Sequence, residues 1–149
     1  MNAAPDRKWP VPGVDECHRF PKLIVNVLNT SVRETSAALR SASALAHGLN
    51  ADIRLLFFQV VPYPLDLHRP DVPPSYRIGS AAASLRNLHA EVQIKICCCR
   101  DIPEALGNTL PPESLIIVGR KKQWWRRRAN KLIRLLRSRG HHPIVVETR

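Results

Sequence analysis

A chain of 149 residues with 44% hydrophobic side chains is long enough for one domain with its own core and too apolar for a disordered polypeptide. Its most apolar stretch, Ile53 to Val61, is far shorter than the roughly 20 residues of a bilayer span, which argues against a membrane protein. The formal net charge of +11 favours an anionic partner. Because the N-terminal sequence lacks the apolar core of a secretory signal, we expect a cytoplasmic location.

Residues 1–21 are rich in proline and aperiodic, which predicts a flexible arm, and residues 22–149 then form the single α/β domain. Short apolar runs and amphipathic segments alternate along this domain. In chain order they predict strand Lys22–Asn29, helix Ser31–Leu49, strand Asp52–Val61, helix Ser80–Leu88, strand Glu91–Cys99, helix Ile102–Leu110, strand Ser114–Val118, helix Trp125–Ser138 and strand Pro143–Glu147.

The boundaries of these helices are marked by residues with a local physical role. Thr30 or Ser31 can cap the first helix, and Glu34, three residues after Ser31, completes a capping-box pattern. Gly48 and Asn50 supply the stop of the same helix. Apolar residues recur on this helix at Ala38, Leu45 and Leu49, with Ala42 between them. The regular alternation of strands and helices predicts a three-layer, doubly wound, parallel five-stranded sheet.

In a sheet of this class, ligands bind at the carboxyl ends of the strands. The loops expected to surround such a site are 29–31, 60–64, 100–102 and 119–125. We expect no catalytic residues, because the sequence has no G-x-S-x-G elbow. The histidines and cysteines have no metal-ligand spacing, so we expect no metal site. The consecutive Cys97, Cys98 and Cys99 are interpreted as small residues of a buried strand, with a redox or soft-metal role as the alternative.

The positive charge is concentrated near the C-terminus. Ten of the 23 lysines and arginines lie between Arg120 and Arg139, and no acidic residue occurs from Ser114 through Val146. Trp125, Ala129, Leu132 and Leu136 form one apolar stripe that predicts packing on the sheet. The cations around them predict an anion-binding surface for nucleic acid or acidic lipid. The candidate anion-binding residues are Lys121, Arg126, Arg127, Arg128 and Arg134.

Four segments, KLIVNVLNTS, FFQVVPYP, SLIIVGRKK and HHPIVVE, resemble the universal stress protein family, over about Lys22 to Glu147. This resemblance implies the adenine nucleotide alpha hydrolase-like variant of the parallel five-stranded sheet. It also implies a homodimer formed through the last strand, Pro143–Glu147. A role in stress survival or regulation would follow from membership of the family.

Many members of that family bind ATP through a pattern that this chain resembles only in part. Leu28 stands where the pattern has an Asp after the first strand. Gly119 matches the first glycine after the fourth strand, but Lys122 occupies the place of the second. The pattern ends in a Gly followed by a Ser or Thr. Strict spacing from Gly119 puts this pair on Leu132 and Ile133, and counting back from Pro143 puts it on Asn130 and Lys131.

The resemblance therefore implies a degenerate nucleotide cleft, and no cofactor is expected. The candidate cleft residues are Asn29, Thr30, Val60, Gly119, Arg120, Lys122, Asn130 and Lys131. Our leading hypothesis is a noncatalytic, homodimeric universal stress protein-like module. The alternatives are an anion-binding adaptor that uses the basic helix, and a nucleotide-binding stress protein with an atypical phosphate loop in which lysines and arginines hold phosphate by charge.

Overall fold

A computed structural model describes residues 22–70, 72–122 and 127–149. Predictions made for the N-terminal arm, Trp125 and Arg126 lie outside the described residues, as does the side chain of Arg128. The elements in chain order are β1 Ile24–Leu28, α1 Val32–Leu49, β2 Asp52–Val60, α2 Pro74–Leu85, β3 Val92–Cys99, α3 Ile102–Thr109, β4 Leu115–Lys121, α4 Arg127–Ser138 and β5 His142–Thr148.

The strands of the described ranges form one parallel sheet in the order β3-β2-β1-β4-β5. Val27 lies at the centre of this sheet, in register with Leu55 on one side and Ile117 on the other. The chain first moves outward from β1 to β3 and then crosses back to β4. The strand order therefore reverses between β1 and β4, where doubly wound folds place their ligands. The predicted fold class is confirmed.

Alternation along the strands directs side chains to two separate cores. On one face, α1 and α2 pack on a cluster that includes Val25, Val27 and Leu55. On the other face, Leu28 and Ile116 pack with residues of α3 and α4. The sheet is therefore covered by helices on both sides, as the near-continuous apolar runs of its central strands indicate.

The predicted helix caps of α1 are confirmed in part. The Ser31 hydroxyl accepts a hydrogen bond from the Glu34 N–H over 3.4 Å. Asn50 ends the helix in the left-handed conformation, at φ 50°. Gly48 lies inside the helix instead of ending it, and Leu49 is 47% exposed. Of the other recurring apolar positions, Ala38 and Ala42 are buried and Leu45 is half-buried.

Two element boundaries differ from the sequence prediction. Helix α2 begins at Pro74, six residues before the predicted start at Ser80, because proline fits the first turn of a helix. Strand β4 continues through Gly119 to Lys121, whereas the prediction ended it at Val118. Pairing with β5 sustains this extension, with Gly119 opposite Val146.

The side chains of β3 and α4 are less completely buried than the sequence predicts. β3 is an edge strand, and of its three consecutive cysteines Cys99 is buried while Cys97 and Cys98 are half-buried. Leu136 of the predicted α4 stripe is fully buried, and Ala129 and Leu132 are half-buried. None of the helices in the described ranges is both long and apolar enough to cross a membrane.

Candidate functional site

A cavity of about 110 Å³ lies at the carboxyl ends of the central strands, where the strand order reverses. Its lining comes from β1 and the turn after it, from β2, and from helices on both faces of the sheet. The lining residues are Leu28, Asn29, Thr30, Phe57, Phe58, Arg77, Ile102 and Leu132. The structure therefore brings the predicted cleft residues Asn29 and Thr30 together at one site.

The turn from β1 to α1 is held by its own polar groups. The Asn29 N–H donates to the Leu56 carbonyl of β2 over 2.9 Å, which adds one hydrogen bond between the two chain segments beyond the end of β1. The fully buried Thr35 hydroxyl accepts from the Thr30 N–H over 2.9 Å and donates to the Asn29 side-chain oxygen over 3.4 Å. The carbonyl of the Asn29 side chain is therefore engaged inside the protein.

Two polar atoms in the cavity wall lack a hydrogen-bond partner among the described residues. They are the Thr30 hydroxyl oxygen and Nε of Arg77, and both are buried. Arg77 lies in α2, before the predicted start of that helix at Ser80. No pattern in the sequence signals its position at the ends of β1 and β2, because the packing of α2 determines it. Arg77 is therefore a site residue that the sequence analysis missed.

Two of the loops expected to surround a site are tied together beside this cavity. The Arg100 guanidinium donates to the Val61 carbonyl over 2.8 Å and lies 4.1 Å from the centre of the Tyr63 ring. A guanidinium over an aromatic face is attracted by the ring electrons. Val60, a predicted cleft residue, is 49% exposed at the end of β2. The 60–64 loop is thus fixed to the turn that follows β3.

Gly119 lies beneath the first turn of α1. A Cβ atom at this position would overlap the backbone carbonyl of Glu34. The backbone of Gly119 is also paired with β5, and the Lys122 N–H donates to the Thr148 carbonyl over 2.9 Å. The chain is therefore held against β5 as far as Lys122.

Arg120 and Asn130, both predicted cleft residues, contact each other. The Arg120 guanidinium donates to the Asn130 side-chain oxygen over 2.8 Å and forms an ion pair with Glu147. These contacts join the end of β4 to the first turn of α4 and to β5. The positive charge of Arg120 is thereby compensated within the domain.

A second, larger groove of about 400 Å³ runs between α3 and α4 and shares Ile102 and Leu132 with the small cavity. Its remaining lining residues are Asp101, Pro103, Lys131 and Leu135. Lys131, predicted for the cleft, is thus separated from Asn29 by apolar side chains. The predicted anion-binding residues Lys121, Arg127 and Arg134 are exposed around the same end and outer side of the domain.

Two titratable groups of the described region have shifted pKa values. Burial raises the pKa of the Cys99 thiol, and the adjacent Cys97 and Cys98 add to that effect. Burial, with help from the nearby positive charge of Arg139, lowers the pKa of His141. Among the described residues, no group of three or more His, Cys, Asp or Glu side chains is placed to hold a metal ion.

No model of a known protein family matches the chain, and no curated protein matches it in sequence. Solved structures do match it in fold. The universal stress protein from Archaeoglobus fulgidus in complex with dAMP superposes with a TM-score of 0.57 at 12% identity, covering 88% of this chain and 100% of that one. The chain has a universal stress protein-like fold.

Two further solved structures agree with this fold. A universal stress protein structure from Archaeoglobus fulgidus gives a TM-score of 0.54 at 12% identity. A universal stress protein in complex with cAMP gives 0.53 at 13% identity, and each comparison covers 87% of this chain and 100% of the other. At these identities the likeness establishes the universal stress protein-like architecture and does not extend to ligands.

Proposed function

We propose that the chain is a noncatalytic universal stress protein-like module that acts as a homodimer and does not use ATP as a cofactor. The observation that carries this proposal is the hydrogen bonding at the end of β4. A phosphate loop presents free N–H groups, yet here the strand continues to Lys121 and the Lys122 N–H is bonded to Thr148.

The polar residues around the cleft support the same proposal. The Asn29 side-chain oxygen accepts from Thr35, and the terminal guanidinium nitrogens of Arg120 donate to Asn130 and Glu147, so these atoms already have partners inside the domain. Leu28, at the position where ATP-binding members have an Asp, is 4% exposed and belongs to the core beneath α3 and α4. An apolar side chain at that position offers no hydrogen bond to a ribose or to metal-bound water.

The small volume of the cavity at the strand ends also supports the proposal that the chain does not use ATP. Ligand pockets usually enclose roughly 300–1,000 Å³. The cavity beside Asn29 and Thr30 has about 110 Å³, which is below that range. The adjoining groove of about 400 Å³ is lined by the start of α3 and by α4, and neither Asn29 nor Thr30 lines it.

Dimerisation is proposed through β5. This strand lies at one edge of the sheet and pairs only with β4 among the described strands, so its outer backbone groups can pair with a second copy. Ile144 in the middle of β5 is 39% exposed, which gives a second copy an apolar side chain to cover.

Isothermal titration of the full chain with ATP and AMP at 150 mM salt tests the nucleotide part of the proposal. A nucleotide-binding universal stress protein measured in parallel is the positive control. We expect no saturable heat at millimolar nucleotide and no phosphate release on incubation with ATP and Mg²⁺. Stoichiometric binding, or turnover above that of a buffer blank, would refute the proposal in favour of the atypical phosphate loop.

A further inference from the structure

Helix α4 carries a row of exposed cations. Arg127, Lys131 and Arg134 follow one another at spacings of four and three residues, which places them on one face of the helix. We refer to these three residues as the α4 ridge. Arg137 flanks the ridge one turn further on and is also exposed.

Among the described residues, no ion pair neutralises a charge of the α4 ridge. Asp101 lines the groove that Lys131 also lines, but the two side chains form no ion pair. The ion pairs between described residues join Lys22 to Asp52 and Arg120 to Glu147, and neither includes the ridge. No acidic residue occurs in the sequence from Ser114 through Val146. Ridge cations lie within a Debye length of about 8–10 Å of each other, so they repel at physiological salt unless an external anion neutralises them.

The opposite face of α4 is occupied by the protein core. Ile133 is 4% exposed and Leu136 is fully buried against the sheet, with Leu132 and Leu135 packed beside them. A helix that lies in a membrane surface needs its apolar face free to enter the lipid. Because this apolar face already covers the sheet, the geometry favours a partner that is held by charge alone.

The dimensions of the ridge fit a regular array of phosphates. From Arg127 to Arg134 the helix rises about 10 Å, at 1.5 Å per residue. One strand of B-DNA advances 3.4 Å per phosphate along its axis, so the ridge spans about three phosphates. Arginine forms paired hydrogen bonds with phosphate, so Arg127 and Arg134 are suited to such an array.

We infer that the α4 ridge binds the phosphate backbone of duplex DNA without reading its base sequence. The contact is electrostatic, so counterion release controls its strength. For about three phosphate contacts, the logarithm of the binding constant falls with the logarithm of salt concentration at a slope of about −2.7. Raising KCl from 50 to 200 mM then weakens binding about 40-fold.

Fluorescence anisotropy of a labelled 20-base-pair duplex with the full chain tests this inference. The ridge variant carries Arg127→Gln, Lys131→Gln and Arg134→Gln. The matched control carries Arg33→Gln, Arg40→Gln and Lys95→Gln, which remove the same charge from exposed positions on α1 and β3. We expect the ridge variant to bind at least about tenfold more weakly at 50 mM KCl with a slope near zero, and the control to keep the wild-type slope.

Circular dichroism and thermal unfolding establish that both variants are folded. Equal loss of binding in the two variants would overturn the inference, because net charge and not the ridge would then be responsible. Wild-type binding that does not weaken with salt would also overturn it. Association with vesicles of phosphatidylserine and phosphatidylcholine, with no binding to the duplex, would assign the ridge to acidic lipid and contradict the proposed partner.

Discussion

Gly119 lies directly beneath Glu34, so closely that a Cβ atom on Gly119 would overlap the Glu34 backbone carbonyl. The first turn of α1 therefore rests on the backbone of β4, and this close approach requires a glycine at position 119. A packing requirement explains the glycine without any reference to phosphate.

Replacing Gly119 with alanine is expected to destabilise the domain. Overpacking in a filled interior costs about 1–3 kcal/mol, and here the obstructing atoms belong to backbone that cannot rotate away. Urea unfolding followed by circular dichroism measures the change in the free energy of unfolding. The control is Gly48→Ala in α1, where nothing lies within 4 Å of the added methyl group. Alanine there is expected to stabilise by roughly 0.5–1 kcal/mol, and equal destabilisation by both variants would contradict the packing argument.

Arg120 is expected to stabilise the junction of β4, β5 and α4. Its guanidinium bonds to Asn130 and Glu147, although Glu147 is 39% exposed and solvent weakens that ion pair. Arg120→Ala should therefore cost about 1–2 kcal/mol of unfolding free energy, with the hydrogen bond to Asn130 contributing about 1 kcal/mol.

A double-mutant cycle with Asn130→Ala isolates the hydrogen bond between the two side chains, since their substitutions should then be non-additive. The control is Lys121→Ala, the exposed neighbour of Arg120, which should change stability by less than about 0.5 kcal/mol. Additive effects of Arg120→Ala and Asn130→Ala would show that the contact contributes nothing.

Elements whose sequence signal is local could be predicted from the sequence alone. The apolar runs of β1 and β2 are buried strands, and the Ser31 cap marks the start of α1 because its hydrogen bond spans only three residues. The start of α2 could not be predicted, since the prolines of that region favour irregular structure until a helix begins at Pro74.

The site could be predicted less completely than the fold, because its contacts are not local. Asn29 and Thr30 were identified from their place after β1. Arg77 reaches the same cavity from a helix more than 40 residues away, and only tertiary packing places it there. Gly119 was interpreted as the end of a strand, but pairing with Val146 extends that strand. A single sequence contains no local signal for such a pairing.

The three consecutive cysteines are expected to react at different rates with iodoacetamide. Burial raises the pKa of the Cys99 thiol, so it forms the reactive thiolate less readily than an ordinary cysteine. Cys97 and Cys98 are half-buried. Tandem mass spectrometry of the tryptic peptide after timed labelling at pH 8 should therefore find Cys99 modified last. The same order in guanidinium chloride would attribute the difference to local sequence and contradict a role for burial.

The proposed dimer should depend on the apolar character of β5. Ile144→Asp puts a charge at the centre of the edge strand and should convert the protein to a monomer, as measured by light scattering after size-exclusion chromatography. The control is Ile78→Asp, which places the same charge at an exposed isoleucine of α2, a helix that packs on α1 and on β3 at the opposite edge of the sheet from β5. A wild-type monomer, or dissociation by both variants, would contradict dimerisation through β5.

His141 is expected to make folding stability depend on pH. It is 6% exposed, and its Nδ1 accepts a hydrogen bond from the Ser114 N–H over 3.2 Å, which requires that nitrogen to be unprotonated. Burial lowers its pKa from the ordinary value of 6.5, with the charge of Arg139 and of His142 adding to the effect. Below pH 6.5 the unfolded chain therefore binds more protons at this position than the folded protein does.

The contribution of His141 to the free energy of unfolding is thus fully present above pH 6.5. It is lost as the pH falls towards and through the lowered pKa that His141 has in the folded protein. Urea midpoints should rise from pH 5 to pH 7.5 in the wild type. His141→Asn keeps an acceptor for the Ser114 N–H but cannot titrate, so it should flatten this rise, whereas His142→Asn at the exposed neighbour should preserve more of it. A slope unchanged by His141→Asn would assign the pH dependence to other groups.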